Sequence, residues 1–239
     1  MSWNKGRLRG LNEAKGRIGD IEKFVNDLLK NKDKIRILEV GCGYGRILLE
    51  LKKVFGNKII TEGINLEKEW NKELCKKFGI KEKIFTKKEI NKNLPKIHIL
   101  DVGKKIPLSS NKYDLIISQA SVQYIGNKAL FLEEVNRLLT KEGIAIIEMQ
   151  EIKRSHPLEY RNLFEIWKGN KLILFENYIK KFKNIKVKKS KFRKDWSVII
   201  MKKSNSFKLK LKLMNCFGFD INEICDKWRG DKAVYKVIK

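Results

Sequence analysis

The stretch Ile37-Leu38-Glu39-Val40-Gly41-Cys42-Gly43-Tyr44-Gly45-Arg46 concentrates residue types that could hold a ligand. Glycines let a backbone take positive φ and approach a bound group closely. The helix that follows presents N–H groups with no partner inside the helix. A dinucleotide-binding turn reads Gly-x-Gly-x-x-Gly and would need a glycine where Arg46 stands. The spacing here is Gly-x-Gly-x-Gly, with the acid Glu39 ahead of it. A carboxylate at that place opposes a pyrophosphate and suits a positively charged ligand group.

Alternating elements must position this turn. Apolar residues at Ile18, Ile21, Phe24, Val25, Leu28 and Leu29 mark one face of a helix. Lys34–Val40 then reads as a strand, and Ile47, Leu48, Leu51, Val54 and Phe55 as a helix closed by Gly56. Lys58–Gly63 predicts a second strand and Leu66–Phe78 a second helix, with Gly79 at its stop. Residues 80–95 are Lys-rich and ambiguous. Ile97–Leu100, Tyr113–Ser118 and Ile144–Met149 predict further strands, with an amphipathic helix over Ala129–Leu139. This alternation implies an α/β fold, a doubly wound and mostly parallel sheet with helices on both faces. Ligands bind such sheets at the carboxyl ends of the strands.

After Gln150 the pattern loosens. Residues 157–182 read as helical stretches, and Ile185–Val187 with Trp196–Met201 as a closing hairpin. Phe207, Leu209, Leu211 and Leu213 alternate with polar residues as in a half-solvated strand. A short helix near 220–228 and a last strand at Ala233–Ile238 are expected to follow. Three parts result: a basic, loosely ordered arm over 1–17, the main domain over 18–203, and a C-terminal extension over 204–239 packed on the same domain.

The glycine turn resembles motif I of the class I S-adenosylmethionine-dependent methyltransferases, and the resemblance covers about residues 18–150. It implies a seven-stranded-type sheet and S-adenosyl-L-methionine as cofactor, with Glu39, Gly41, Cys42, Gly43, Tyr44 and Gly45 at the cofactor. In the family an acid at the end of the second strand holds the ribose hydroxyls. Thr61-Glu62-Gly63-Ile64-Asn65-Leu66-Glu67 places Asn65 at that position, beside Leu66, so the family's carboxylate is missing there. An amide can still bond a ribose hydroxyl, and Glu62 or Glu67 are weaker substitutes. Asp101-Val102 is similar to the family stretch that binds the adenine amino group and packs on the ring. Ser118 and Gln119, ending the fourth strand, fall where the family holds the methionine amino group. Asp114 has a stronger reading as a strand-start residue and is left out of the site.

Methyl transfer needs alignment of an acceptor more than a dedicated catalytic group. An O-acceptor would require a general base. His156, in Arg154-Ser155-His156-Pro157, is the candidate, with Tyr124 and Glu148 weaker ones; a polar loop residue before a helix-starting Pro is the plainer reading of His156. His98 sits inside an expected strand and reads as structure. The fourth strand lacks the Asn/Asp-Pro-Pro-aromatic sequence that grips exocyclic base amines. No cysteine outside the glycine turn carries a C5-methylating motif.

The chain has 239 residues and a formal net charge of +26, with only ten arginines among its 54 basic residues. Lys180–Lys212 alone holds 14 basic residues and one acid, with Phe182, Phe192, Trp196 and Phe207 interleaved. Such a stretch could follow a phosphate backbone. The excess is nevertheless spread over both halves, and lysine outnumbers the arginine that bidentate phosphate recognition favours. A small-molecule, sugar or lipid-linked acceptor is therefore placed slightly ahead of RNA as partner, with a non-catalytic cofactor-binding adaptor as a third reading. Four cysteines without Cys-x-x-Cys spacing predict reduced thiols and no metal site. The absence of an apolar run near the roughly 18 residues of a membrane span, and of a signal-like start, leads to a cytoplasmic expectation.

Overall fold

The computed structural model describes residues 9–150, 164–191, 196–222 and 227–238. In chain order the elements are α1 (Leu11–Arg17), α2 (Ile21–Leu29), β1 (Ile35–Val40), α3 (Arg46–Phe55), β2 (Ile59–Asn65), α4 (Lys72–Lys81), α5 (Ile90–Asn93), β3 (Lys96–Ile99), β4 (Tyr113–Ser118) and α6 (Lys128–Leu138). There follow β5 (Leu139–Gln150), β6 (Phe164–Lys168), β7 (Lys171–Ile173), α7 (Phe175–Ile179), β8 (Ile185–Lys189), β9 (Trp196–Lys202), β10 (Leu211–Asn222) and β11 (Lys227–Val237).

Seven strands form one sheet in the order β3-β2-β1-β4-β5-β9-β8. The first five run parallel, while β9 is antiparallel to β5 and β8 antiparallel to β9. Strand alternation sends Ile35 and Ile37 to one face, against Ala14, Ile21, Val25, Leu48 and Leu51 of α1–α3. Leu38 and Val40 go to the other face, with Phe131, Leu132 and Val135 of α6. Each fully buried Leu or Ile contributes about 1.5–3 kcal/mol, so two such layers hold the sheet from both sides. The strand order moves outward from β1 through β3 and returns to β4, which lies beside β1. That reversal opens a crevice at the carboxyl ends of β1 and β4, where open α/β sheets bind ligands. The doubly wound α/β expectation is met.

Several local expectations are corrected. Within the stretch read as an arm, Leu11–Arg17 is helical, because Glu13 accepts from Gly10 N–H at 2.8 Å and Glu50 of α3 accepts from Leu11 N–H at 2.7 Å. The second helix starts at Lys72 rather than Leu66, since the Asn71 side chain caps it by accepting from the Glu73 and Leu74 N–H groups. Residues 164–173 are the hairpin β6–β7 instead of helix; Gly169 at φ 58° makes the turn, and Ile166 pairs with Ile173. The alternation at Phe207–Leu213 becomes strand only from Leu211, after Lys210 at φ 52°. In place of a helix near 220–228, β10 extends to Asn222 and β11 begins at Lys227. These strands join β6 and β7 in a second sheet, β10-β11-β6-β7. It packs on the main core through Phe164, Ala233 and Tyr235. The Tyr235 hydroxyl locks it there, accepting from Ala129 N–H and donating to Asn127, both at 3.1 Å.

Candidate functional site

Between β1 and α3 the backbone turns through Gly41, Gly43 and Gly45 at φ 71°, 51° and 70°, a region that side-chain-bearing residues avoid. Two neighbouring strands fix the turn. The Ile64 carbonyl at the end of β2 accepts from Gly41 N–H at 2.8 Å and Cys42 N–H at 3.2 Å. From the β4 side, Ser121 Oγ donates to the Val40 carbonyl at 3.1 Å. A Cβ on Gly41 would stand 2.4 Å from the Ser121 Cβ, so only glycine admits this approach. Tyr44 stacks on Phe78 and meets the Trp70 ring edge-on, with centroids 5.1 and 4.7 Å away.

The electrostatics around the turn are unusual. Glu39 is buried and its Oε2 has no partner among the described residues. Burial, with Glu50 adding to it, pushes its carboxyl well above the usual range. Gln119 is buried with both side-chain polar atoms unpartnered among the described residues, as are Gln123 Oε1 and Glu148 Oε1. Buried polar atoms left unpaired cost about 1–3 kcal/mol each, so the Glu39 and Gln119 atoms are suited to pair with polar groups of a ligand. Burial, then Glu39 and Cys75, push the Cys42 thiol up. Cys42 is thus an inert packing group, and a Cβ on Gly63 would lie 2.5 Å from its sulfur.

Of the ribose candidates, Asn65 is committed to the loop. Its Oδ1 accepts from Gly43 N–H at 2.8 Å, and its Nδ2 donates to the Gly43 and Trp70 carbonyls at 3.1 and 2.8 Å. One oxygen lone pair remains for a ligand. Glu62 is no substitute, for it points into a buried network with Arg36, His98, Lys112 and the Tyr113 hydroxyl, all at 2.8–2.9 Å. Burial opposes its ionisation, but the hydrogen bonds from His98, Lys112, Tyr113 and Arg36 prevail and hold it down at about 2. His98 accordingly serves structure. Glu67 is exposed and accepts from the Trp70 indole at 3.1 Å. Leu66 is 62% exposed, an apolar side chain left open at the end of β2.

Asp101 is exposed after β3, with Oδ1 accepting from Gly103 N–H at 2.9 Å and Oδ2 3.6 Å from the Lys104 amine. Val102 is buried in the main core. Ser118 is buried, its hydroxyl 2.6 Å from that of Ser121. Asp114 ties β4 to its neighbours by accepting from Arg36 N–H and the Thr140 hydroxyl. Tyr124 lies in the turn after β4; burial pushes its phenol up against smaller opposing effects of Gln123 and Arg9. Glu148 is ion-paired with Arg17 at 2.9 Å, which removes it as a free base. His156 lies outside the described residues. Trp70 and Arg17 were missed by the sequence reading: neither belongs to an apolar period, and only the tertiary fold brings them here. Among the described residues no cluster of His, Cys, Asp and Glu could hold a metal ion, and no helix is long and apolar enough to cross a membrane.

A positively charged amino-acid end suits the unpaired Glu39 and Gln119 atoms, and the glycine turn lies between them and the β2 end. The residues present therefore fit S-adenosylmethionine at its methionine end, while a ribose carboxylate is lacking at Asn65. Comparison with known proteins agrees. The sequence profile of a family described as Methyltransferase domain matches residues 31–217. The chain is 27% identical over 169 residues to malonyl-[acyl-carrier protein] O-methyltransferase 2 of Ilyobacter polytropus, covering 65% of this chain and 58% of that one. It is 25% identical over 113 residues to glycine/sarcosine/dimethylglycine N-methyltransferase of Actinopolyspora halophila, covering 45% and 17%. It thus spans 58% and 17% of the length of these two curated relatives. Among solved structures, a SAM-dependent methyltransferase from Aquifex aeolicus is 20% identical, with 79% of this chain and 92% of that chain covered and a TM-score of 0.49. The chain belongs to the methyltransferase-domain family, within the class I S-adenosylmethionine-dependent enzymes that its glycine turn resembles.

Proposed function

We propose that this chain transfers the methyl group of S-adenosylmethionine to oxygen or nitrogen of a small-molecule, sugar or lipid-linked acceptor. The observation that carries the cofactor half is the buried, unpaired Glu39 carboxylate oxygen at the glycine turn. A cationic ligand group would satisfy it, and the Gln119 amide can pair with an amino-acid carboxylate or ammonium. When bound, S-adenosylmethionine supplies a methyl group on a sulfonium, an electrophile that needs no further activation. The chain's own residues then have to align the acceptor and keep water out. The close approach of Ser121 to Gly41 holds the residues after β4 against the glycine turn, where that alignment would take place. Asp101 and Leu66 are the proposed adenine contacts, acting through a carboxylate oxygen and an exposed apolar face.

An O-acceptor would call on His156 as base. Tyr124 keeps its proton near neutral pH and serves only as a hydrogen-bond donor. The names of the two relatives, one an O- and one an N-methyltransferase, support a non-nucleic-acid acceptor without specifying which. The basic composition, which suggested RNA as the alternative, receives no support from them.

Isothermal titration with S-adenosylhomocysteine tests the cofactor half. Saturable binding that weakens strongly in Asp101→Ala is expected; absence of binding by the wild-type chain would sink the reading. Transfer of labelled methyl in fractionated host extract tests the acceptor. Label in metabolite, glycan or lipid fractions supports the proposal, and label in RNA replaces it with the nucleic-acid reading. Binding without label in any fraction leaves the adaptor.

A further inference from the structure

Arg17, the last residue of α1, is buried against Glu148 of β5. Its Nη2 and Nε donate to Glu148 Oε2 at 2.9 and 3.3 Å, and its guanidinium lies 4.8 Å from the Trp196 ring centroid. The same carboxylate oxygen accepts from Ala120 N–H at 2.9 Å. Ala120 holds φ 50°, a conformation that a non-glycine residue keeps only when its surroundings impose it. Its carbonyl is held too, accepting from Gln123 Nε2 at 2.8 Å. The next residue, Ser121, donates to Val40 and fills the space that Gly41 leaves. An unbroken chain of contacts therefore runs from α1 through Glu148 and Ala120 to the glycine turn.

We propose that Glu148 is a positioning residue that sets the 118–121 loop through the Ala120 N–H, and that docking of α1 by Arg17 is what holds this buried carboxylate in place. The inference rests on the methyltransferase reading of the site. Undocking α1 leaves Glu148 without its counter-charge, and a buried carboxylate without a partner moves toward water. That movement releases the strained Ala120 peptide, and with it the Ser121 contacts that brace the glycine turn. The N-terminal helix is in this way part of the ligand site although it contributes no motif.

The test uses the full chain, S-adenosylhomocysteine as probe, thermal melting to verify folding, and hydrogen exchange of the 118–124 segment without ligand. Arg17→Met leaves the Glu148 carboxylate without its ion-pair partner, and Glu148→Gln removes the counter-charge of the Arg17 guanidinium; each is expected to weaken binding about tenfold or more. The double variant Arg17→Met/Glu148→Gln removes both charges but keeps an acceptor for Ala120 N–H. It is expected to recover binding to within about threefold of wild type, with slow exchange in the loop. Arg17→Met/Glu148→Met removes the acceptor as well and is expected to stay about tenfold weaker, with fast exchange. Equal affinity and equal exchange in the two doubles would overturn the proposal, since a purely space-filling role cannot distinguish Gln from Met. Glu148→Asp, which keeps the charge but shortens the reach to Ala120, should also weaken binding, and unchanged affinity there would count equally against it. A wild-type chain that does not bind the probe overturns the functional reading, and this inference with it.

Discussion

The Asn65 side chain brackets a single residue of the glycine turn, accepting from Gly43 N–H at 2.8 Å and donating to the Gly43 carbonyl at 3.1 Å. With its other amide hydrogen on the Trp70 carbonyl at 2.8 Å, it joins the end of β2, the turn and the covering aromatic. The resemblance leads one to expect an acid here, and the structure explains the amide: a carboxylate has no N–H to give either carbonyl.

Asn65→Asp is therefore expected to weaken the site, although it restores the family residue. Two carbonyls lose their donor, at about 1–3 kcal/mol each where buried. Thermal melting should show a lower midpoint, and titration with S-adenosylhomocysteine an affinity lower by about tenfold. Tighter binding would mean that the ribose contact outweighs the loop bracket.

Gly41→Ala should be among the most damaging single-methyl changes in the chain. Positive φ costs a non-glycine residue about 1–2 kcal/mol, and the new Cβ meets that of Ser121 at 2.4 Å. Adding Ser121→Gly removes the clash and leaves the φ penalty, so the double variant should regain part of the lost stability and binding. Denaturant melts of the three variants check the order.

Glu62 predicts an acid-sensitive element away from the site. Its carboxyl ionises at about 2 in the folded chain against an ordinary 4.5, so folding is favoured while it is charged. That contribution is complete above pH 4.5 and is lost as the pH falls toward 2, on the order of 2 kcal/mol. Melting midpoints of Glu62→Gln should be lower than wild type at pH 7, with the gap narrowing below pH 4.5 and closing only near pH 2.

Tyr235→Phe removes the hydroxyl that pins β11 to the start of α6 and leaves Ala129 N–H unpaired. A loss of about 1–2 kcal/mol is expected, without change in S-adenosylhomocysteine affinity. Urea titration measures the first and calorimetry the second. A large loss of binding would show that the second sheet reaches the cofactor site.

Much of this was legible along the chain. The strands β1, β2, β4 and β5 and their parallel run, the closing pair β8 and β9, and the glycine turn all follow from local patterns, because alternation, helical periodicity and glycine spacing report on residues close in sequence. The hairpin at Phe164–Ile173 was not legible, since its pairing with β11 joins segments about 70 residues apart and propensity alone does not see the partner. The same holds within the site. Glu39 could be read from its place beside the glycines, whereas Glu62, an acid on the next strand, could be assigned only after His98, Lys112 and Tyr113 were seen around it. Arg17 and Glu148 are 131 residues apart, and nothing in either neighbourhood announces the other. Burial makes such pairs decisive: a charge in the interior must find its partner wherever the fold has put it.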